Sequence, residues 1–365
     1  MRRLLAVAIL SVAALLPAIV PVSAQGRVLN VYNWSDYVDP KVLEEFTEKT
    51  GIRLRYDTFD SNDVLEAKLL AGRSGYDVVA PTGYFLERQI KAGIFQRLDK
   101  SKLPNLVHLW PEISRRLAVY DPGNAYAVNY MWGTTGIGYN AGKARDILGA
   151  NAVIDSWDTV FKPENLARFK DCGVHFLDSP DDILTAALHY LKLDPNTKRE
   201  QDFQRAADLL MKIRPSVLKF HSSEYLNGLA TGEVCFAVGF SGDVKQAQKR
   251  AAEAKKGVIA YSIPKEGAQL WFDNLAIPKD AKNVAEAHEF INFLQTPEIA
   301  ARNSNFISYA NGNLASQKFI DKAVLEDPTV YPDAAMMKRL YTINAHDAAT
   351  TRVMNRLWTR VKTGR

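Results

Sequence analysis

The sequence predicts an α/β protein of two lobes with a cleft between them, and three observations carry that expectation. Strand-like and helix-like segments alternate through the first hundred residues, as in a parallel sheet with helices on both faces. Two long extended stretches, 126–139 and 270–278, are rich in small and aromatic residues, as a strand leaving one lobe for another would be. Strand ends repeatedly deliver a ring beside a carboxylate or hydroxyl, at 34–37, 82–85, 240–243 and 271–273. In an open α/β sheet, loops at the carboxyl ends of strands face the ligand crevice.

The elements follow in order. The stretch 28–37 begins as a strand and ends in a loop carrying Trp34, Ser35, Asp36 and Tyr37. Asp39 and Pro40 then supply an N-cap and a first helical residue. The helix keeps Val42, Leu43 and Phe46 on one face and stops at Gly51. Residues 52–56 alternate as a strand, Ser61 caps a helix running to Leu70, and 76–80 form a short buried strand. That strand ends in a loop with Thr82, Tyr84 and Phe85, followed by a helix that ends at Gly93. Residues 102–121 are less regular. A helical region covers 157–169, and a strand at 172–177 ends in a loop with Asp181 and Asp182. Helices are expected at 183–191, 203–213, 224–230 and 244–255, with a loop at 220–223 holding Ser222. A buried strand covers 234–239 and a further strand 258–264. Helices at 284–294 and 297–302 precede a tail with Tyr309 and a closing helix from about 348.

Composition bounds the chemistry. With 365 residues, 47% hydrophobic and 24% charged, the chain is ordinary globular material for two domains. Met1-Arg2-Arg3, an apolar run from Leu4 to Val20 and the small residues Val22-Ser23-Ala24 read as a signal peptide cut after Ala24. No other stretch reaches the ~20 apolar residues of a spanning helix. Two cysteines, Cys172 and Cys235, suit one disulfide in an exported chain; two buried free thiols are the alternative. The formal charge of +5 is spread along the chain, without the basic stripe that nucleic acid needs.

A flat indole, a carboxylate and a phenol at one cleft mouth suit an organic cation, with rings on its faces and acid at its ends. The competing view of the first loop is a surface turn whose Trp34 covers the core edge. An enzyme finds little support. There is no GxSxG, P-loop, HExxH or dinucleotide fingerprint, and the six histidines lack metal spacing. His221 beside Ser222-Ser223 is the one hint of nucleophilic chemistry. No metal or cofactor is expected.

With those residues collected, the chain resembles the periplasmic polyamine-binding proteins of bacterial ABC importers. The resemblance spans the mature chain and rests on Tyr32-Asn33-Trp34-Ser35-Asp36-Tyr37, Trp132-Gly133-Thr134-Thr135-Gly136, Phe220-His221-Ser222-Ser223 and Ser262-Ile263-Pro264-Lys265-Glu266-Gly267-Ala268. It implies a type II periplasmic solute-binding fold of two discontinuous lobes closing like a hinge. The first lobe would be 28–131 with 275–304, and the second 132–274 with 305–365. It also implies ligand contacts from Trp34, Ser35, Asp36, Tyr37, Thr82, Tyr84, Phe85, Asp182, Ser222, Phe240, Asp243, Trp271, Asp273 and Tyr309. Thr82 stands where many members have Ser, Asp182 where Glu is common, and Phe240 where putrescine-binding members have Trp. Cys172 and Cys235 match a family disulfide. At position 271, putrescine-preferring members resemble one another in having Phe and spermidine-preferring ones Trp. Trp271 therefore points to spermidine, with putrescine as the alternative. The implied partner is an ABC permease, the implied place the periplasm, and the expected state a monomer. A polyamine sensor without a transport role would use the same cleft.

Overall fold

The computed structural model describes residues 26–365; the expected signal peptide lies outside the described residues. Among the described residues ten strands join in one sheet, eight of them on a single path: β1 (Val28–Trp34), β2 (Arg53–Phe59), β3 (Val78–Val79), β4 (Ala127–Asn140), β5 (Val174–Phe176), β6 (Lys219–Phe220), β7 (Phe236–Phe240), β8 (Ile259–Ser262), β9 (Leu270–Ala276) and β10 (Ala310–Asn311). Their order is β2-β1-β3-β9-β4-β7-β5-β6, with β8 and β10 also paired to β4. β1 is parallel to β2 and β3, and β5 to β6 and β7, so each end of the path is a parallel sheet. β4 and β9 pair antiparallel in the middle and join the two.

The helix signals act locally as the sequence suggests. Asp39 accepts from the Lys41 N–H, Pro40 opens the helix Pro40–Thr50, and Gly51 closes it at φ 70°. Ser61 caps Asn62–Leu70 and Ser179 caps Pro180–Tyr190. The irregular span 102–121 contains a 3-10 turn, Pro104–His108, and one α-helix, Pro111–Leu117. The expected helical region 157–169 breaks into short turns, Asp158–Phe161 and Pro163–Leu166, because Pro163 cannot continue the first of them. Among the described residues no helix is long and apolar enough to cross a membrane.

Two regions of core define the lobes. Val31, Val78, Phe85 and Phe272 lie in the first; Phe176, Phe203, Phe236 and Val244 lie in the second. Cys172 and Cys235 are disulfide-bonded within the second lobe, which removes the free-thiol alternative. The cores place the lobe boundaries differently from the expected 131/132, 274/275 and 304/305. β4 changes partners between Thr134, opposite β9, and Thr135, opposite β7. All of β9 pairs on the first-lobe side, with Leu270 and Phe272 in that core. Beyond 305, Tyr309, Ile320, Val324 and Val330 also pack there. Met336 and Leu340 touch the second-lobe core, and the helix Ala348–Thr363 returns to it fully through Met354, Leu357, Trp358 and Val361. The apolar residues of 305–343 follow no regular period, so nothing local shows which core they join.

Candidate functional site

The carboxyl ends of β1, β3, β5, β6 and β7 all open onto one cleft between the lobes, as parallel strands require. The cleft encloses about 710 Å³ of space, counting its mouth. Three aspartates define its chemistry. Asp273, in β9, accepts from Tyr37 OH at 2.7 Å and Thr82 Oγ1 at 2.6 Å. Asp243, in the first turn of the helix Ser241–Glu253, accepts from Tyr309 OH at 2.7 Å and Tyr225 OH at 2.8 Å. Asp182, in the first turn of Pro180–Tyr190, accepts from Thr135 Oγ1 at 2.6 Å and Ser179 Oγ at 2.7 Å. Each carboxylate therefore has a neutral hydroxyl on both oxygens and no cationic partner. Asp60, Asp63, Asp178 and Asp181 add further acid to the lining, which contains no Lys or Arg among the described residues.

Burial without counter-charge disfavours the ionised form. Desolvation pushes the Asp273 carboxyl up to about 7, against the opposing effect of its Thr82 and Tyr37 hydrogen bonds. It pushes Asp243 up to about 6 and Asp181 up to about 7, and it raises Asp182 and Asp63. A group of buried acids in that state is a site short of positive charge.

Rings complete the walls. Trp34 donates its indole N–H to Ala80 O at 2.9 Å and lies 4.6 Å from the Phe59 ring. Trp271 stands nearly perpendicular to Phe240, with centroids 5.5 Å apart, and lies 5.4 Å from Tyr309. Two glycines make room: a Cβ at Gly133 would lie 2.8 Å from the Trp271 ring, and one at Gly242 2.3 Å from the Tyr309 ring. That is the physical content of the Trp132-Gly133-Thr134-Thr135 stretch, whose Thr135 also holds Asp182.

Of the fourteen residues expected to contact ligand, thirteen line this cleft: all but Asp36. Asp36 sits at a turn with φ 53°, and its carboxylate pairs with Arg250 at 2.6 Å. Gln246 also donates to its carbonyl at 3.1 Å. Asp36 thus ties the lobes together outside the cleft, because the left-handed turn aims it away from Trp34 and Tyr37. His221 is tied into a helix start: its Nδ1 accepts the Ser223 and Glu224 N–H groups at 3.2 and 3.3 Å, at the head of the helix Glu224–Thr231, and the Ser223 hydroxyl lies 3.3 Å from the same nitrogen.

The loop 59–63 and residues Asp178, Ser179, Asp181 and Ser223 also line the cleft and were not singled out as ligand contacts. The strand-end rule that found the other loops applies equally to β2, so Asp60 and Asp63 were within reach of it. Tyr225 carried no such signal, because it lies inside a helix and acts from behind the wall.

A family model described as bacterial extracellular solute-binding protein matches residues 41–332. The chain is 53% identical over 344 residues to the putrescine-binding periplasmic protein SpuD of Pseudomonas aeruginosa, covering 94% of each chain. It is 49% identical over 345 residues to the putrescine-binding periplasmic protein PotF of Escherichia coli, covering 94% of this chain and 93% of that one. It also resembles the solved structure of the spermidine/putrescine ABC transporter substrate-binding protein PotD from Streptococcus pneumoniae. There the TM-score is 0.75 at 31% identity, over 93% of this chain and 99% of that one. These relatives are binding proteins, not enzymes. A two-lobed fold closing on one cleft, together with a family match over most of its length, shows that the chain belongs to the bacterial extracellular solute-binding protein family.

Proposed function

We propose that the protein captures a linear polyamine in the periplasm and delivers it to an ABC permease. The observation that carries this is the lining: buried carboxylates held by hydroxyls, ring walls and no lining cation. An ammonium entering the cleft loses water at a cost of several kcal/mol unless acceptors replace it. A carboxylate at about 4 Å returns roughly 4 kcal/mol at an effective dielectric of 20. Methylene segments lie against rings, and each cation–ring contact adds about 0.5–2 kcal/mol. After association costs, binding at micromolar level or tighter is within reach, about −8 kcal/mol.

Within that class we favour spermidine. Trp271 supports it. Putrescine is the second reading, favoured by the names of the two relatives at 53% and 49% identity. Calorimetric titration of the mature protein with both amines separates them. Tighter binding of spermidine supports the Trp271 argument, and tighter binding of putrescine overturns it while keeping the class. No heat with either sinks the polyamine proposal. Loss of polyamine uptake in a deletion strain supports the importer role over a sensor.

A further inference from the structure

Tyr225 does not line the cleft. It is fully buried behind it, on the helix Glu224–Thr231. Its hydroxyl receives the Phe240 N–H at 2.9 Å and donates to Asp243 Oδ2 at 2.8 Å. A phenol has one proton, so an incoming N–H leaves that proton for the carboxylate. The close approach depends on Gly239, where a Cβ would lie 2.4 Å from the Tyr225 ring. Tyr309 repeats the pattern from the other lobe, receiving the Asp243 N–H at 3.1 Å and donating to Oδ1 at 2.7 Å.

We infer that Tyr225 is a positioning residue for the cation site: one hydroxyl fixes the Phe240 wall and the Asp243 counter-charge together and keeps that carboxylate ionised. This rests on the polyamine proposal and deepens it. The groups facing Asp243 are few. Tyr225 and Tyr309 bond it directly. Asp36 and Arg250 act on it at longer range, with opposite signs. Asp273 and Tyr37 are its titratable neighbours across the cleft. Burial and the adjacent carboxylate hold both bonded phenols well above their ordinary range, so they remain donors. Asp243 itself lies at about 6, where one donor more or less decides its charge near neutral pH.

The test is titration of spermidine and putrescine into wild type, Tyr225→Phe, Asp243→Asn and the double variant, at pH 6 and pH 8. Losing one charge-assisted donor raises a carboxyl by about one unit, so the ionised fraction at pH 6 falls about fivefold and at pH 8 hardly changes. The expected result is affinity about fivefold weaker at pH 6 and within about twofold of wild type at pH 8. In the Asp243→Asn background the same change should bring no further pH-dependent loss. Equal losses at both pH values indicate packing alone and overturn the inference, as does no loss at either. If Tyr225→Phe does not fold, 3-fluorotyrosine at position 225, a stronger donor, should move the pH step of affinity downward; an unmoved step overturns the inference. Wild type that binds no polyamine defeats the functional proposal itself. Wild type that binds, with a Tyr225→Phe variant matching it throughout, defeats only the role of Tyr225.

Discussion

Replacing Asp273 by Asn should weaken ligand binding and stabilise the empty protein. The amide has nearly the same shape, and the surroundings can accept it. Thr82 takes a hydrogen bond from Asn62 Nδ2 at 2.9 Å, so its own proton must go to position 273, where the amide oxygen can receive it. Among the described residues Tyr37 OH bonds Asp273 alone, and it can turn to accept from the amide nitrogen. The charge is lost, and with it the acceptor of the Tyr37 proton. Desolvation raises the folded-state carboxyl from 3.8 to about 7, so the folded protein binds a proton that the unfolded chain gives up near pH 4. Stability linked to this group is therefore present below about pH 4 and lost as pH rises through about 7. At pH 8 the buried charge costs on the order of 4 kcal/mol, at about 1.4 kcal/mol per unit. The Asp273→Asn substitution removes that cost, so thermal unfolding of the ligand-free variant at pH 8 should occur several degrees higher than wild type. A bound ammonium loses a counter-charge with a gross value of roughly 4 kcal/mol, so affinity should fall at least about tenfold. Differential scanning calorimetry and isothermal titration read the two effects on one sample. Unchanged affinity would remove Asp273 from the site, and a lower melting temperature would show that its charge supports the fold.

Three further outcomes follow from the same geometry. Polyamine affinity should fall as pH drops from 8 to 6, because Asp273 at about 7 and Asp243 at about 6 take up protons that compete with the ligand; titration at pH 6.5 in buffers of different ionisation enthalpy should register proton release, and pH-independent affinity refutes this. Trp271→Phe should shift the ratio of affinities toward putrescine, since a smaller ring beside Phe240 and Tyr309 relaxes the register of the longer amine; an unaltered ratio rules the position out as selector. Arg250→Ala removes the half-exposed pair with Asp36 that joins the lobes, a contact worth about 0–1 kcal/mol; stopped-flow release should become severalfold faster at most, and a loss beyond about tenfold would place Arg250 in the binding machinery itself.

The sequence exposed the cleft through a rule about strand ends, and that rule works because it is local. A ring and an acid at the end of β1, β3 or β7 stand beside each other in the chain, and the parallel sheet puts them at the mouth. Asp36 shows where the rule stops. It shares its loop with three lining residues, yet one left-handed backbone angle turns it to the outer seam and Arg250. Alternation of residue types carries no trace of that angle. The lobe boundaries are hidden in the sequence for a related reason: β9 and the segment after 305 choose a core by pairing and packing with distant strands.

The hydroxyl cages belong to the fold, apart from Ser179, which stands three positions before Asp182. Tyr37 reaches Asp273 across 236 positions, Thr82 across 191, and Thr135 reaches Asp182 across 47. A lone Thr or Tyr on a strand looks like sheet propensity until its partner is known. The cages also explain how one cleft tolerates so much acid. Hydroxyls satisfy the carboxylate oxygens without neutralising them, so the cost of burial remains as raised pKa values that an arriving cation can relieve. Lysine or arginine in those places would have satisfied the same oxygens and cancelled the charge as well. Neutral donors leave it available, so the protein's own stability and its affinity for a cation draw on the same carboxylates in opposite directions.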